Sequence, residues 1–424
     1  MIDRLRKNSF IWHSVSMLAT RIGTMFFNFL QGVVISRALL PEGRGVIGLY
    51  MTVFGIVFAL CGIRQSTAYM IGKQHADSAD VAGLQVLAST AVMLASTVVM
   101  LGMLWWQNLL SHWGVVALLL ILLYVQIWGT MFNGVLSARR DIPALNMGSL
   151  LICALTCGIL VIGYWWWGIR DIWFYFLAVI VANVASLAYY WRRIVRCDHA
   201  YRFSWADTSR QWRNLWPFLR SGFDFALPLL ILDLNYQINM LLLKRMNYSN
   251  TEIGLYYQAA SISMLIWFLP RIMSQVIFAY SISTKNAKAF SLNLWRMSKK
   301  IMLLMLPVCL IGAAVTPWLL PFIYGAEFVG SVRPFLLILP GTYVMIAFKV
   351  LNGDFVANGH SFLTSCIFLA ALLLNIGLDL VLIPRWGIDG ASAASSVSYV
   401  LGTAVFLVFF HRLLIARKME TESC

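Results

Sequence analysis

Charged side chains are scarce in this chain. Asp, Glu, Lys and Arg make up 12% of its 424 residues, about half the ~25% of an ordinary soluble domain. Acids are scarcer still, 17 against 32 Lys and Arg. Long polar segments are missing as well, and the longest, Arg192–Pro217, is a connection rather than a domain. These shortages exclude an ordinary soluble enzyme. They also leave no soluble face on which the net charge of +15 could serve nucleic acid. The seven cysteines lack paired spacing, and five of them (Cys61, Cys153, Cys157, Cys309, Cys366) fall in apolar runs. They form neither a disulfide framework nor a metal site and read as small buried hydrophobes. The six histidines are equally dispersed.

What the chain has is apolar sequence: 60% of it is AVILMFWYC. A helix of roughly 20 apolar residues crosses a bilayer. Runs of that length lie near 11–36, 46–71, 83–105, 114–138, 144–166, 172–191, 218–243, 253–280, 300–324, 333–357, 362–383 and 389–411, which predicts an all-α integral membrane protein of about 12 spans. The basic start Met1–Ser9 resembles a secretory leader. Its apolar continuation runs to Arg37, carries Arg21 and lacks a small-residue cleavage site, so it is read as the first span. With both termini cytoplasmic, 20 Lys and Arg fall inside and seven outside, an orientation the positive-inside rule favours. Trp105–Trp106 and Trp165–Trp167 then sit at the outer interface.

The polar connection at the midpoint predicts an N-lobe over 1–191, a basic cytoplasmic linker over 192–217, a C-lobe over 218–411 and a cytoplasmic tail over 412–424. The halves resemble each other. Ile47-Gly48-Leu49-Tyr50 opens the second span and Ile253-Gly254-Leu255-Tyr256 the eighth, with Arg64 and Arg271 following at nearly the same offset. The motifs fall on the same side, so the repeats run parallel, an arrangement that suits alternating access.

Five cations remain within apolar spans: Arg21, Arg64, Arg220, Arg271 and Lys349. Each costs roughly 2.5–3.5 kcal/mol at mid-membrane on insertion scales unless it faces a cavity or a partner. Arg220 sits near a span end and can snorkel to the interface. Arg21, Arg64 and Arg271 lie at similar depth on the first, second and eighth spans and predict a basic chamber open to the inside. Pairing with separate buried carboxylates is the competing account, and Lys349 is balanced between the two. Guanidinium forks suit phosphate, so the chamber predicts an anionic substrate, and a diphosphate would engage several arginines. Four acids also lie in the spans: Asp224, Asp233, Asp354 and Asp379. Asn375 and Asp379 are spaced i, i+4 and share a helix face. With Asp233 and the start of the twelfth span they offer hard oxygen ligands for a small cation or a proton, or else a buried salt bridge.

Two connections carry a family resemblance. Ser36-Arg37-Ala38-Leu39-Leu40-Pro41-Glu42-Gly43-Arg44-Gly45 resembles the "R-x-L-G-P-E-G-x-G" connection of bacterial Wzx-type polysaccharide flippases, and Ile383-Pro384-Arg385-Trp386-Gly387-Ile388-Asp389-Gly390-Ala391 resembles their "I-P-x-x-G-I-x-G-A" entry to the last span. These proteins belong to the MOP exporter superfamily, with the MATE drug exporters and the lipid II flippases. The resemblance implies a V-shaped pair of six-helix lobes. It implies movement of a polyprenyl-diphosphate-linked oligosaccharide, an O-antigen or capsule repeat unit, to the periplasmic leaflet of the bacterial inner membrane, without enzymatic chemistry. It implies a polysaccharide polymerase as partner. Substrate-binding positions become Arg21, Arg64 and Arg271, with Lys349 added from its depth. A sodium or proton coupling site falls on Asp233, Asn375, Asp379, Ala391 and Ser395, where Ala391 contributes only a carbonyl and Asp224 competes with Asp233. A MATE-like multidrug exporter is the alternative, although it would be expected to offer acids rather than arginines to cationic drugs. A glycan polymerase or ligase generally needs a large outer loop, and this chain lacks one.

Overall fold

The computed structural model describes residues 2–61, 66–67, 78–197, 201, 208, 211–283 and 287–422. Among them every regular element is helical: α1 (Ile2–Ala59), α2 (Ser78–Trp106), α3 (Trp113–Ala138), α4 (Ile142–Val161), α5 (Ile172–Cys197), α6 (Trp212–Arg245), α7 (Asn250–Leu265), α8 (Phe268–Ser283), α9 (Ala287–Tyr324), α10 (Val332–Ala357), α11 (Ser361–Trp386) and α12 (Ile388–Glu422). Among the described residues nine helices are long and apolar enough to cross a membrane, or 11 when each bent pair counts as one span. One pair is the two parts of α6, bent by 55° between Pro228 and Leu230, and the other is α7 with the start of α8, bent by 50°. The apolar part of α1, Ala19–Ala59, is one helix by hydrogen bonding but breaks at Leu40 (φ 59°, ψ −178°). Pro41 disfavours helical geometry in the residue before it, and the break leaves a span's length on either side. Eleven of the 12 predicted runs fall on these helices; the other, 46–71, follows the break and is described over 46–61 and at 66 and 67, the rest of it lying outside the described residues. α9 faces outward with Leu303, Leu304, Leu310, Ile311 and Phe322 exposed, the surface a lipid-facing helix needs.

Backbone contacts divide the chain into two units, residues 1–39 with 53–227, and residues 40–52 with 228–424. In the first, Tyr201 is buried and donates to Gln85 Oε1 (2.5 Å), Gln85 Nε2 donates to Thr67 Oγ1 (2.8 Å), and Ser66 Oγ donates to the Phe218 carbonyl (3.0 Å). Burial of Tyr201 in the 192–217 connection pushes its phenol up. These bonds tie Tyr201 of the 192–217 connection, and Phe218 near the start of α6, to residues of the first unit, and the contact division falls between Leu227 and Pro228. The last helix continues through Glu422, across most of the expected tail.

The second unit is built around α10. Phe348 and Phe355 pack against Phe368 of α11 and Phe406 and Phe410 of α12. Residues 40–52 belong to this unit because two glycines permit backbone contact. A Cβ on Gly45 would lie 1.9 Å from the Asn250 carbonyl oxygen, and one on Gly254 would lie 1.8 Å from that of Pro41. Gly254 is the glycine of the second Ile-Gly-Leu-Tyr block, and Gly48 of the first leaves room for Tyr257 and Met240. Arg44 is buried, with Nε on Gln258 Oε1 (3.2 Å) and its guanidinium over the Tyr257 ring (4.9 Å).

Candidate functional site

Two polar clusters and a cavity lie within the second unit. The first is set by the α11–α12 hairpin. α11 ends at Gly387 (φ 59°), and a Cβ on Gly390 would lie 2.3 Å from the Leu382 carbonyl oxygen. The two helices therefore meet almost backbone to backbone, with Arg333 holding Asp389 at 3.0 Å. This brings the Ala391 carbonyl and Ser395 opposite Asn375 and Asp379, and all four residues are fully buried. Asn239 of α6 sits among them. Its Nδ2 donates to Asp379 Oδ1 (3.1 Å) and to the Ala391 carbonyl (2.9 Å), and its Oδ1 accepts from Asn375 Nδ2 (2.9 Å). Tyr256 and Tyr399 close the cluster beside Ser395, within electrostatic reach of Asp379.

Asp233, the α6 residue expected here, is elsewhere. Six positions separate it from Asn239, about 9 Å of rise and a different helix face, and its electrostatic partners are Arg271 and Lys349. The α6 contribution to the carboxylate cluster is thus an amide. That position was not singled out, although Asn235 and Asn239 repeat the four-residue spacing of Asn375 and Asp379.

Asn375 Oδ1 and Asp379 Oδ2 are buried and accept no hydrogen bond among the described residues. A buried carboxylate without a compensating charge is costly. Together with the Ala391 carbonyl, Ser395 Oγ and the Asn239 carbonyl oxygen, these atoms make an all-oxygen set with one formal negative charge, which suits a monovalent cation or a proton. No cluster of three His, Cys, Asp or Glu occurs among the described residues, so the set does not suit zinc or another N/S-preferring metal.

The second cluster is basic. Lys349 of α10 donates to Tyr236 Oη (2.5 Å), and its Nζ lies 4.7 Å from the Tyr236 ring centroid and 5.0 Å from that of Trp267. Trp267 is pinned by its indole N–H on the Thr342 carbonyl (2.8 Å). The Arg271 guanidinium stands 5.9 Å from the same ring, and the residue is exposed. Neither Arg271 nor Lys349 forms an ion pair with Asp233 among the described residues; the three interact at longer range. Rings that surround an ammonium stabilise it through their negative faces.

Arg21 lies in the first unit, exposed, with no ion pair among the described residues. Arg64 lies outside the described residues, as does the side chain of Asp224. Asp354 belongs to neither cluster: it accepts from Ser281 Oγ (2.5 Å), Ser291 Oγ (2.7 Å) and Asn358 Nδ2 (3.0 Å), tying the ends of α8, α9 and α10 together. Between the clusters is a cavity of about 240 Å³. Tyr236 lines it from the basic side, Tyr256 from the carboxylate side, and Tyr257 with Met51, Met240 and Met264 complete its less polar walls.

No family model matches the chain. A protein of the Lsg locus of Haemophilus influenzae is 23% identical over 224 residues, 48% of this chain and 54% of the relative, so the match spans about half of each. Among solved structures, an inward-facing multidrug-resistance MATE transporter of the MOP superfamily superposes with TM-score 0.71 at 16% identity, covering 96% of this chain and 99% of the other. The lipid II flippase MurJ in an inward closed conformation gives 0.73 at 13% identity, covering 95% and 87%. A Pyrococcus furiosus MOP transporter described as having reversed pocket polarity gives 0.61 at 14% identity, covering 96% and 95%. At these identities the likeness is one of fold: the chain has the MOP-type fold.

Proposed function

We propose that this protein moves a polyprenyl-diphosphate-linked oligosaccharide from the cytoplasmic to the outer leaflet of a bacterial inner membrane, by ion-coupled alternating access. The observation that carries the reading is the pair Arg271 and Lys349, two cations on membrane spans with no carboxylate in ion-pair contact among the described residues. Membrane cations left in this state are expensive unless an anion completes them. Arg271 offers a fork and Lys349 a point charge, which together suit the two phosphates of a diphosphate. The MOP fold and the resemblance of the two connections to Wzx-type flippases favour the same substrate class.

The buried set Asn239, Asn375, Asp379, Ala391 and Ser395 holds the coupling cation or proton. When bound, that ion supplies the positive charge that the Asp379 carboxylate lacks. Asn239 would offer its carbonyl oxygen to that ion, and Asp233, six residues earlier on the same helix, interacts with the cations of the second cluster, so α6 connects the two clusters. No covalent bond is broken.

A second reading, export of cationic drugs, draws on the aromatic and methionine walls of the cavity, which suit apolar cations. The adjacent Lys349 and Arg271 oppose it. The test is complementation of a strain lacking the protein. Arg271→Ala and Lys349→Met, inserted at wild-type levels, should lose surface polysaccharide, and Arg271→Lys should retain part of it. Normal surface polysaccharide from both charge-removing variants would sink the proposal.

A further inference from the structure

We infer that the cavity between the two clusters is a sugar subsite, which takes one uncharged ring of the glycan while the cations beside it take the phosphates. The inference rests on the proposed substrate and adds what recognises its carbohydrate part.

Three observations carry it. First, the wall chemistry is that of a neutral polar ring. The lining combines the aromatic rings of Tyr236, Tyr256 and Tyr257 with Thr52, Gln237 and Ser261 beside its methionines, and includes no charged residue among the described residues. Aromatic faces pack on the C–H face of a pyranose, and amides and hydroxyls both donate and accept, as sugar hydroxyls do. A site for an apolar cation would have no use for unpaired amides and hydroxyls. Second, two of those groups are unspent. Thr52 is only 2% exposed and makes no hydrogen bond among the described residues, and the Gln237 amide makes none either. A threonine hydroxyl inside a helix commonly bonds back to the preceding turn. Here it does not, so the hydroxyl, which lines the cavity, is left free to bond a ligand hydroxyl in place of water. Third, position and size agree. About 240 Å³ is below the roughly 300–1,000 Å³ of sites for drug-sized ligands, which suits one ring and not a whole repeat unit. Tyr236 has its ring on the cavity and its hydroxyl on Lys349, so a ring in the cavity stands next to the proposed phosphate group, where the first sugar of a lipid-linked glycan is attached.

The cavity is formed partly by the 40–52 segment, which contributes Met51 and Thr52. Gly48, one turn earlier, admits Tyr257 and Met240 to the wall. The first Ile-Gly-Leu-Tyr block and the residues just after it therefore serve to build this wall.

The experiment measures binding to the purified full-length protein in nanodiscs, with two probes: polyprenyl diphosphate, and the same lipid carrying a single N-acetylhexosamine. The sugar-bearing lipid is expected to bind at least tenfold more tightly than the bare one. Thr52→Val and Gln237→Leu should bring that ratio to within twofold of unity while leaving the affinity for the bare lipid unchanged. Thr52→Ser, which keeps the hydroxyl, should preserve the ratio, and thermal melting of each variant checks that it is folded. If both lipids bind the wild-type protein equally, the sugar subsite is wrong and the diphosphate reading survives. If neither binds, the proposed function fails and the inference with it. A sugar-dependent ratio unaltered in both variants would place the recognition elsewhere and overturn the assignment.

Discussion

Asn239 is the residue whose replacement tests the carboxylate cluster most sharply. Its side chain makes three buried hydrogen bonds, to Asp379 Oδ1, to the Ala391 carbonyl and from Asn375 Nδ2. Asn239→Ala removes all three and leaves two acceptors and one donor orphaned, at about 1–3 kcal/mol each. Water entering the space left by the side chain recovers part of this, so the expected destabilisation is about 3–5 kcal/mol. Asn239→Leu separates packing from polarity, because it fills a similar volume and makes none of the bonds. Its cost should approach that of alanine. The assay is reversible denaturant unfolding in mixed micelles, followed by fluorescence and run with and without sodium. Stability in Asn239→Leu within about 1 kcal/mol of wild type would refute the reasoning, since the cluster would then place no demand on its α6 partner.

The remaining predictions concern the surrounding structure. Gly254→Ala puts a methyl group 1.8 Å from the Pro41 carbonyl oxygen; neither backbone can yield, and overpacking of at least 1–3 kcal/mol should lower the melting temperature and yield of the protein. Asp354→Ala deletes the acceptor shared by Ser281, Ser291 and Asn358. It should destabilise the protein by about 2–4 kcal/mol and leave diphosphate-lipid affinity within about twofold, measured by titration in nanodiscs. Tyr236→Phe keeps the ring beside Lys349 and removes only the hydroxyl; diphosphate-lipid affinity should fall less than in Lys349→Met, and an equal loss in both would contradict the role of the aromatic cage.

Much of the architecture was legible because a bilayer imposes a length and a polarity that composition alone reveals. The apolar runs marked where helices form, and the break at Leu40 was visible as Pro41 inside the connection. The division into units was less legible. Residues 40–52 look like part of an N-lobe, and it is contacts such as the approach of Gly45 and Gly254 to opposing carbonyls that place them with the second unit. The repeated Ile-Gly-Leu-Tyr blocks carried that information, but a repeat shows kinship and not contact. For the carboxylate cluster, charge was the sequence clue, and it favoured Asp233. Helix phase instead presents Asn239, and an amide in an apolar span attracts less notice than an acid. Tyr236 and Tyr399 carry no signal of their own in a chain with 16 tyrosines, and Tyr256 stands out only as part of the repeated block; nothing in the linear order shows that the three join the two clusters.

The measurement that tests the central claim most directly is a mass-spectrometric analysis of lipids from cells with and without this protein, combined with a surface-polysaccharide assay. Loss of the protein is predicted to accumulate polyprenyl-diphosphate oligosaccharide on the cytoplasmic side and to abolish the surface glycan. Unchanged lipid-linked pools, with greater sensitivity to cationic drugs, would contradict the flippase account and favour export of those compounds.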